Sequence, residues 1–459
     1  MKKNIKKHPS SFRDPSGFIF ADQETIFRQI NQSYQSDYQQ LMNSGLYQKL
    51  VEKKLLVTHQ EIKSTNFYSD QGYKIIQPQR LNFISYPYEW CFGQLKAAAL
   101  ATLQIQKTAL NFKMSLKDAS SYNLQFLNGQ PIFIDTLSFE KYSVGQPWVA
   151  YRQFCQHFVA PLALMKYKDL RLNQLFRIFV DGVPLDLASS LLPFSTKFKF
   201  SLLTHLHLHA KSQKHFADKS INKKTKKMNW RALRGLIDSL ENTINNLELP
   251  KSHTEWGEYY SFTNYSPTAF EDKKNIIKNL LKEIRPKTVW DLGANDGLFS
   301  RLASQQDIET IAFDIDLLAV EKNYRQIVKN KEKGLLPLFI DLTNPSPSLG
   351  WQNQERASLL KRGPAEMIMA LALIHHFTIS NNTPFVKSAE FFSQLGHSLI
   401  IEFIPKNDSK VQKLLATRED IFSDYNQIAF ENAFKKYFLI KKIIKIKDSN
   451  RIIYLMEKK

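Results

Sequence analysis

Cysteine is almost absent from this chain of 459 residues. Cys91 and Cys155 are its two cysteines, too few for the disulfide framework of a small secreted domain. They also lack the close spacing of metal-binding cysteines. We therefore expect a protein of the reducing cytoplasm in which cysteine chemistry plays no part.

Long apolar runs are also missing. No stretch reaches the roughly 18 consecutive apolar residues that indicate a membrane-spanning helix. The N-terminal residues MKKNIKKHPS are basic, and the apolar core of a secretory signal does not follow them. The sequence therefore predicts neither a membrane span nor a signal peptide.

Acidic residues are outnumbered. The chain has 43 Asp and Glu against 63 Lys and Arg, a formal net charge of +20. Such an excess favours an acidic partner, such as nucleic acid, anionic lipid headgroups or a phosphorylated substrate. The lysines are scattered along the whole chain, however, and scattered charge is typical of a solvated surface. Nucleic acid therefore stays an open but less favoured partner.

The length predicts two domains, since single cores seldom grow beyond about 250–300 residues. A lysine-dense polar stretch at 211–227 precedes an amphipathic helix pattern at Trp230–Leu247. We therefore divide the chain into an α+β domain at 1–210, a basic linker and helix at 211–255, and a second domain at 256–459.

The second domain alternates short β-rich runs with segments of helical length. This alternation predicts right-handed crossovers and a doubly wound, Rossmann-like α/β sheet with helices on both faces. The last two strand patterns are joined by Asp448, Ser449 and Asn450 and predict an antiparallel hairpin at the sheet edge. The predicted strands are Thr288–Leu292, Thr310–Ile315, Leu336–Leu342, Glu366–Leu373, Ser398–Ile404, Phe438–Lys447 and Arg451–Met456.

The first of these strands runs into a turn with the sequence DLGANDG at 291–297. Glycines in a strand-to-helix turn let a ligand approach the backbone, and the helix N-terminus offers free N–H groups. Asp314 and Asp341 end the next two strands, where they can accept hydrogen bonds from ribose hydroxyls and an adenine amino group, respectively. The candidate cofactor-binding residues in the turn are Asp291, Gly293, Asn295 and Gly297.

The Gly-x-Gly-x-x-Gly pattern of dinucleotide enzymes is absent from this turn. Asp291 enters the turn instead, and its carboxylate would repel a pyrophosphate but can hold the cationic amino group of a methionine moiety. This difference favours S-adenosylmethionine as the cofactor. The alternative is an ordinary tight turn with incidental surface acids, and the placement of three acids at successive strand ends weighs against it.

These residues resemble the motifs of class I S-adenosylmethionine-dependent methyltransferases. The turn at 291–297 matches the first motif, with Asn295 in place of the commonest middle glycine. Asp314 matches the ribose-binding acid of that family and Asp341 the acid near the adenine. Over its whole length the chain resembles the bacterial methyltransferase family that includes host-specificity nodulation proteins of the NoeA type. The segments that carry this wider likeness are Tyr86–Trp90, Leu116–Ala119, Asn264–Ser266, Asp341–Pro345 and Leu371–His376.

The fourth strand delivers two histidines to the same edge of the sheet. A nearly neutral imidazole is a natural base for taking a proton from a hydroxyl or ammonium acceptor. His376 and His375 are therefore candidate catalytic residues, although each could instead cap the next helix or pack beneath the sheet. Glu402, at the end of the fifth strand, is a further candidate to face the acceptor, and Tyr260 is a candidate to close over the cofactor.

The Asn/Asp-Pro-Pro-Tyr/Phe signature, which resembles that of amino-methylating nucleic-acid enzymes, is absent. Its absence favours methyl transfer to oxygen on a small-molecule, saccharide or lipid-linked acceptor. Two alternatives stay open: a tRNA or rRNA methyltransferase drawn by the basic surface, and a regulatory binding protein whose catalytic sites have decayed.

The N-terminal domain carries a second pattern. Asp118, Asn123 and Asp135 resemble the catalytic loop and metal-binding acid of protein and aminoglycoside kinases. No glycine-rich loop is present, however, and Thr136-Leu137 replaces the Phe-Gly that follows the kinase acid. The alternative to phosphotransfer is a role in acceptor recognition or as a scaffold. The kinase-like order of elements predicts a strand pair at Phe18–Ile30, a helix at Tyr38–Glu52, a hinge at Tyr86–Trp90 and a helix at Leu95–Leu110.

His205, His207 and His209 alternate along a leucine-rich segment. On a strand all three would share one face, but the surrounding pattern predicts a helix, on which His205 and His209 align. No carboxylate lies nearby in the sequence, and we expect no metal site here.

Overall fold

The computed structural model describes residues 6–22, 25–63, 68–211, 228–249 and 265–459. The chain divides into two compact units. The first comprises Met1–Lys251 together with Ser348–Arg356, and the second comprises Ser252–Pro347 and Ala357–Lys459.

The first unit opens with an antiparallel sheet and continues with helices and short hairpins. Its strands are β1 (Lys6–Lys7), β2 (Gly17–Asp22), β3 (Thr25–Asn31), β4 (His59–Ile62), β5 (Gly72–Pro78), β6 (Met114–Leu116), β7 (Leu124–Leu127), β8 (Gln130–Phe133) and β9 (Phe139–Lys141). Its helices are α1 (Gln35–Asn43), α2 (Leu46–Glu52), α3 (Phe92–Asn111), α4 (Tyr151–Phe154), α5 (Ala160–Tyr167), α6 (Leu185–Leu191), α7 (Phe200–Leu202) and α8 (Trp230–Asn245). The five-stranded sheet has the order β1-β2-β3-β5-β4, and β6 pairs with β9 and β7 with β8.

Two features of this unit differ from the sequence prediction. The single helix predicted at Tyr38–Glu52 is divided into α1 and α2, because Gly45 between them has a φ of 84°, which ends a right-handed helix. The helix that the sequence analysis assigned to the linker, α8, belongs to the compact first unit. It packs against α3, where Lys107 bridges to Asp238 and Glu241 at 2.6 Å each.

The second unit is a seven-stranded sheet flanked by helices. Its strands are β10 (Thr288–Leu292), β11 (Glu309–Asp314), β12 (Leu335–Phe339), β13 (Ala365–Ala370), β14 (Gly396–Phe403), β15 (Phe438–Lys445) and β16 (Ile452–Lys458). Its helices are α9 (Pro267–Ile284), α10 (Leu298–Ser304), α11 (Leu317–Asn330), α12 (Leu359–Arg362), α13 (Phe385–Leu395), α14 (Ser409–Leu415) and α15 (Gln427–Phe434).

The strand order is β12-β11-β10-β13-β14-β16-β15. Strands β10 to β14 are parallel, and β16 runs antiparallel to both β14 and β15. The chain moves outward from β10 to β12 and then returns to β13 on the other side of β10. This reversal creates the crevice at the carboxyl ends of the strands in which open α/β sheets bind ligands. The doubly wound sheet and the terminal hairpin are thus confirmed, with β15 at the outer edge.

Helix α9 buries an apolar stripe against the sheet. Ser266 caps its N-terminus by accepting a hydrogen bond from the Ala269 backbone N–H, and Pro267 occupies its first turn. Ala269 and Ile277 on the stripe are fully buried. Lys273 lies on the same stripe, one turn from each of them, and is 2% exposed. A lysine in that position requires a buried anion.

Glu402, on β14, supplies that anion. One carboxylate oxygen accepts a hydrogen bond from Lys273 Nζ at 2.7 Å and another from the Ala372 backbone N–H at 2.8 Å. The other oxygen accepts from the Tyr265 hydroxyl and lies 3.6 Å from Arg451 Nη1. Burial opposes ionisation of Glu402, but the Lys273 and Arg451 cations outweigh it and hold the pKa of the carboxyl below its usual value.

Arg451 closes this network from the terminal hairpin. It is 1% exposed, and Asp408 accepts two of its hydrogen bonds, at 2.8 Å and 3.1 Å. Its guanidinium also donates to the Tyr265 hydroxyl at 2.8 Å and lies over the Tyr265 ring, 4.5 Å from the centroid. We call Lys273, Glu402, Arg451, Asp408 and Tyr265 the buried ionic cluster; it joins α9, β14 and the hairpin.

We expect Lys273→Met to destabilise the second unit by about 3–5 kcal/mol, because Glu402 is then buried without its nearest cation. Adding Glu402→Gln should restore part of this loss, since the pair is then replaced by neutral groups. Urea unfolding followed by circular dichroism measures both effects. Lys278→Met, on the exposed face of the same helix, is the matched control. A Lys273→Met variant as stable as the control would contradict the account.

Candidate functional site

The turn after β10 is built around two glycines in left-handed conformations. Gly293 has a φ of 77° and Gly297 a φ of 81°, which side chains other than glycine rarely adopt. A Cβ at Gly297 would also clash with the Asn323 side chain. The backbone N–H groups of Gly293 and Ala294 both donate to the Phe313 carbonyl at 2.9 Å, which ties the turn to β11.

Asp314 ends β11 beside this turn, as the sequence predicts. One of its carboxylate oxygens accepts from the Asn295 backbone N–H at 2.7 Å and the other from the Asp316 backbone N–H at 2.8 Å. The Ile315 backbone N–H makes a third, smaller contribution; since a carboxylate has about four acceptor positions, room for a ligand hydroxyl remains. Burial raises the pKa of Asp314 to about 6, although these backbone donors oppose the rise.

Asp291 lies deeper, at the end of β10. It is 2% exposed, and it accepts a hydrogen bond from the Ser300 hydroxyl at 2.6 Å. Burial raises its pKa to about 7, against the opposing effects of Ser300 and the Lys273 cation. A buried acid of this kind is stabilised in its charged form when a cationic group binds beside it.

The third acid, Asp341, follows β12 and lies at the same edge of the sheet. One of its oxygens accepts from the backbone N–H and the hydroxyl of Thr343, at 2.8 Å and 2.6 Å. The three predicted acids and the glycine turn therefore line one cleft. Its other lining residues are Tyr265, Phe270, Lys273, Ala294, Asn295, Phe299, Ile315, Ile340, Leu342, Thr343, Leu371, Ala372, Leu373, His376, Phe377, Ser380 and Asn381.

Sequence reasoning missed the aromatic and cationic wall that α9 and α10 contribute. Lys273 Nζ lies 4.6 Å from the centroid of the Phe299 ring, and Phe299 packs edge-on against Phe270. One signal could have revealed this wall: Lys273 interrupts the apolar stripe of an amphipathic helix at core-facing spacing.

The two histidines after β13 take different positions. His376 lines the cleft, and burial lowers its pKa to about 4, so its imidazole is neutral near pH 7. His375 is 2% exposed and is absent from the cleft lining; burial lowers its pKa well below the ordinary value. Only His376 of the pair is therefore placed to meet an acceptor in the cleft.

The prediction that Glu402 faces the acceptor needs correction. Its side chain is fully buried and fully occupied within the ionic cluster, because the core must neutralise Lys273 and Arg451. It holds the Ala372 backbone, which has a φ of 50° and lines the cleft. Glu402 is therefore placed to position the Ala372 backbone and does not itself face the acceptor. Tyr260 lies outside the described residues.

The acids of the first unit also come together. Asp118 accepts from the Ser120 backbone N–H at 2.9 Å and from Gln153 at 2.8 Å. Asp135, the predicted metal-binding acid, instead forms an ion pair with Arg28 of β3. The Leu137 backbone N–H and the Ser138 hydroxyl also donate to Asp135, at 2.9 Å and 2.8 Å. Each oxygen of Asp135 therefore already accepts a hydrogen bond within the first unit.

Two of the three alternating histidines, His205 and His207, form side-chain hydrogen bonds within the first unit, and the ring of His209 stacks on Tyr151. His205 lies between the Tyr151 and Ser239 hydroxyls, each at 2.9 Å. His207 contacts Ser189 and Thr196 at 2.8 Å and 3.0 Å. Among the described residues, no group of three or more histidines, cysteines or acids has the arrangement of a metal site.

Within the described parts of the chain, no helix combines the length and the apolar character needed to cross a bilayer.

Solved structures similar to this one include several methyltransferases. Magnesium protoporphyrin IX methyltransferase (ChlM) from Synechocystis PCC 6803, with bound SAH, is 14% identical; the match covers 44% of this chain and 93% of that chain, with a TM-score of 0.32. The bifunctional kinase-methyltransferase WbdD is 13% identical, with 45% and 42% of the two chains covered and a TM-score of 0.29. TM-scores this low do not establish a shared fold.

The amino-acid sequence, unlike these structural similarities, shows which family the chain belongs to. No protein-family model matches the chain. Nodulation protein NoeA of Rhizobium meliloti (strain 1021), however, is 34% identical over 456 residues, which cover 98% of this chain and 95% of that protein. The match therefore spans both compact units of the chain and nearly the whole of the relative. The chain therefore belongs to the family of nodulation protein NoeA.

Proposed function

We propose that the protein is an S-adenosylmethionine-dependent methyltransferase that acts on oxygen of a small-molecule, saccharide or lipid-linked acceptor. The observation that carries the proposal is the convergence of three acids on one cleft, each at the end of a neighbouring parallel strand. Asp314 would accept hydrogen bonds from the ribose hydroxyls, Asp341 would accept from the adenine amino group, and Asp291 would offer a buried negative charge to the amino group of the methionine moiety.

The bound cofactor would supply an electrophilic methyl group on a sulfonium. The protein's own residues hold and orient the reactants, because alignment of acceptor and donor removes much of the barrier to a displacement reaction. The aromatic wall of Tyr265, Phe270 and Phe299 excludes water from the cleft. His376 then accepts the proton of the acceptor hydroxyl, for which its neutral imidazole is in the correct state.

In this proposal the first unit recognises the acceptor or acts as a scaffold. The ion pair of Asp135 with Arg28, at a position where a kinase holds a metal ion, favours this role over phosphotransfer. A tRNA or rRNA methyltransferase is the rival function, because the net charge of +20 would suit RNA.

Incubation of the protein and isotope-labelled cofactor with separated RNA, saccharide and lipid fractions distinguishes these acceptor classes. Label in the saccharide or lipid fraction is expected; label confined to RNA would overturn the acceptor assignment.

Asp314→Asn should weaken cofactor binding by about 1.5–3 kcal/mol, roughly 10- to 150-fold, since charged acceptors for buried hydroxyls are lost. Competition against labelled cofactor measures the change, and circular dichroism checks that the sheet is intact. Glu309→Gln, at the exposed start of the same strand, should bind normally. Unaltered affinity in Asp314→Asn would show that another residue holds the ribose.

Cofactor affinity should rise between pH 5.5 and about 7.5. The pKa values of Asp314 and Asp291 are raised to about 6 and about 7 in the free protein. A ligand that donates hydroxyls and carries a cation binds the ionised carboxylates more tightly than the protonated carboxyls, so binding lowers both pKa values. Each binding event therefore releases protons from the protein, and it releases more of them at pH 5.5 than at pH 7.5. Calorimetry at several pH values, in buffers of different ionisation enthalpy, measures the proton release. An affinity that is flat or falls over this range argues against both roles.

His376→Asn should lower the turnover number by about 100- to 10,000-fold, the usual contribution of a general base, and leave cofactor affinity within a factor of about two. Turnover is followed as label transferred to the acceptor fraction. His397→Asn, which changes an exposed histidine on β14, is the matched control. Equal turnover in the two variants would remove His376 from the mechanism.

A further inference from the structure

The first unit displays an unusual group of exposed aromatic side chains. Phe194, Phe198 and Phe200 are 68%, 78% and 79% exposed. Lys197 and Lys199 are interleaved with them and are also exposed. We call these five residues the aromatic–lysine patch. Large apolar side chains concentrated in one short exposed segment mark an interaction surface more often than isolated exposed residues do.

The patch is held on an ordered turn. Thr196, at its centre, is fully buried; its hydroxyl donates to the Pro193 carbonyl at 2.6 Å and contacts His207 Nε2 at 3.0 Å. His207 is fixed in turn by the Ser189 hydroxyl at 2.8 Å. The scaffold therefore fixes the backbone of the turn and directs its phenylalanines outward.

The side chains of the patch contact one another. The rings of Phe194 and Phe198 meet edge to face, with centroids 5.4 Å apart. Lys197 Nζ lies 4.9 Å from the Phe194 centroid, and Lys199 Nζ lies 5.8 Å from the Tyr167 centroid. Both ammonium groups thus lie over the faces of aromatic rings, and both lysines stay exposed at the surface.

Along the chain, the charge of the segment that carries the patch has one sign. Asp186 and Asp218 are the nearest acids along the chain, and residues 187–217 contain none, while Lys197, Lys199 and Lys211 lie between them. Such a segment is complementary to a negatively charged surface.

We infer that the aromatic–lysine patch attaches the protein to the surface of an anionic phospholipid bilayer. Phenylalanines interleaved with lysines suit the boundary between acyl chains and headgroups, where the rings enter the apolar layer and the ammonium groups meet phosphates. A protein partner is less suited, because lysine is depleted in protein interfaces even though aromatic residues are enriched there. Attachment to a bilayer would also bring the enzyme to the place where a lipid-linked acceptor is found.

Vesicle flotation with the full-length protein tests this inference. Vesicles with about one third phosphatidylglycerol in phosphatidylcholine should bind the protein, pure phosphatidylcholine vesicles should bind at least tenfold less, and added salt should weaken the binding. Lys197→Glu/Lys199→Glu should lower binding at least tenfold. Lys278→Glu/Lys329→Glu removes two exposed lysines of the second unit, changes the net charge equally and should retain most of it.

The aromatic contribution is tested separately. Phe194→Ser/Phe198→Ser/Phe200→Ser should abolish flotation without lowering the melting temperature, because the three rings are exposed. Ile421→Ser/Ile428→Ser, at residues 64% and 74% exposed, is the matched control and should bind normally. In Phe198→Trp, the indole emission should shift to the blue on addition of anionic vesicles if the ring enters the bilayer.

Three results would overturn the inference. Equal binding to neutral and anionic vesicles would remove the electrostatic contribution. Normal flotation of the triple serine variant would remove the aromatic contribution. A triple variant that changes the oligomeric state in size-exclusion chromatography, while vesicle binding is absent from the wild type, would assign the patch to a protein interface instead.

Discussion

The architecture of the second unit depends on the ion pairs that the buried Glu402 carboxylate forms. A fully buried anion needs charged partners, and here they come from elements far apart in sequence, Lys273 on α9 and Arg451 on the terminal hairpin. The same carboxylate accepts a hydrogen bond from the Ala372 backbone, which lines the cleft. The Glu402 carboxylate thereby couples the packing of α9, the attachment of the terminal hairpin and the shape of the cleft wall. Arg451 also binds Asp408, so the hairpin is held from two sides.

The parts of the site that the sequence predicts are those fixed by local rules. Strand ends follow from hydrophobic runs, the turn follows from Gly293 and Gly297, and Asp314 and Asp341 follow from their places at strand ends. Parallel strands bring all of these to one edge of the sheet, so spacing along the chain is enough to find them.

The other features of the structure depend on tertiary contacts that no local sequence pattern encodes. Glu402 has the same strand-end placement as the binding acids, and only the positions of Lys273 and Arg451 show that it is a structural ion. The return of Ser348–Arg356 to the first unit is equally invisible in the sequence. In the first unit, Asp135 has the spacing of a metal ligand, but Arg28, from a distant strand, neutralises it. A sequence motif therefore locates an acid and leaves its partner, and hence its role, to the tertiary structure.

Isothermal titration of the full-length protein with S-adenosylhomocysteine, the demethylated product, measures whether the acid-lined cleft binds this cofactor. This product contains the adenine, ribose and amino acid groups that Asp341, Asp314 and Asp291 are proposed to hold, but it cannot react, so the measurement is independent of the unknown acceptor. We expect saturable binding to one site per chain, in competition with S-adenosylmethionine. Absence of binding by a folded protein would show that the cleft is not a site for this cofactor.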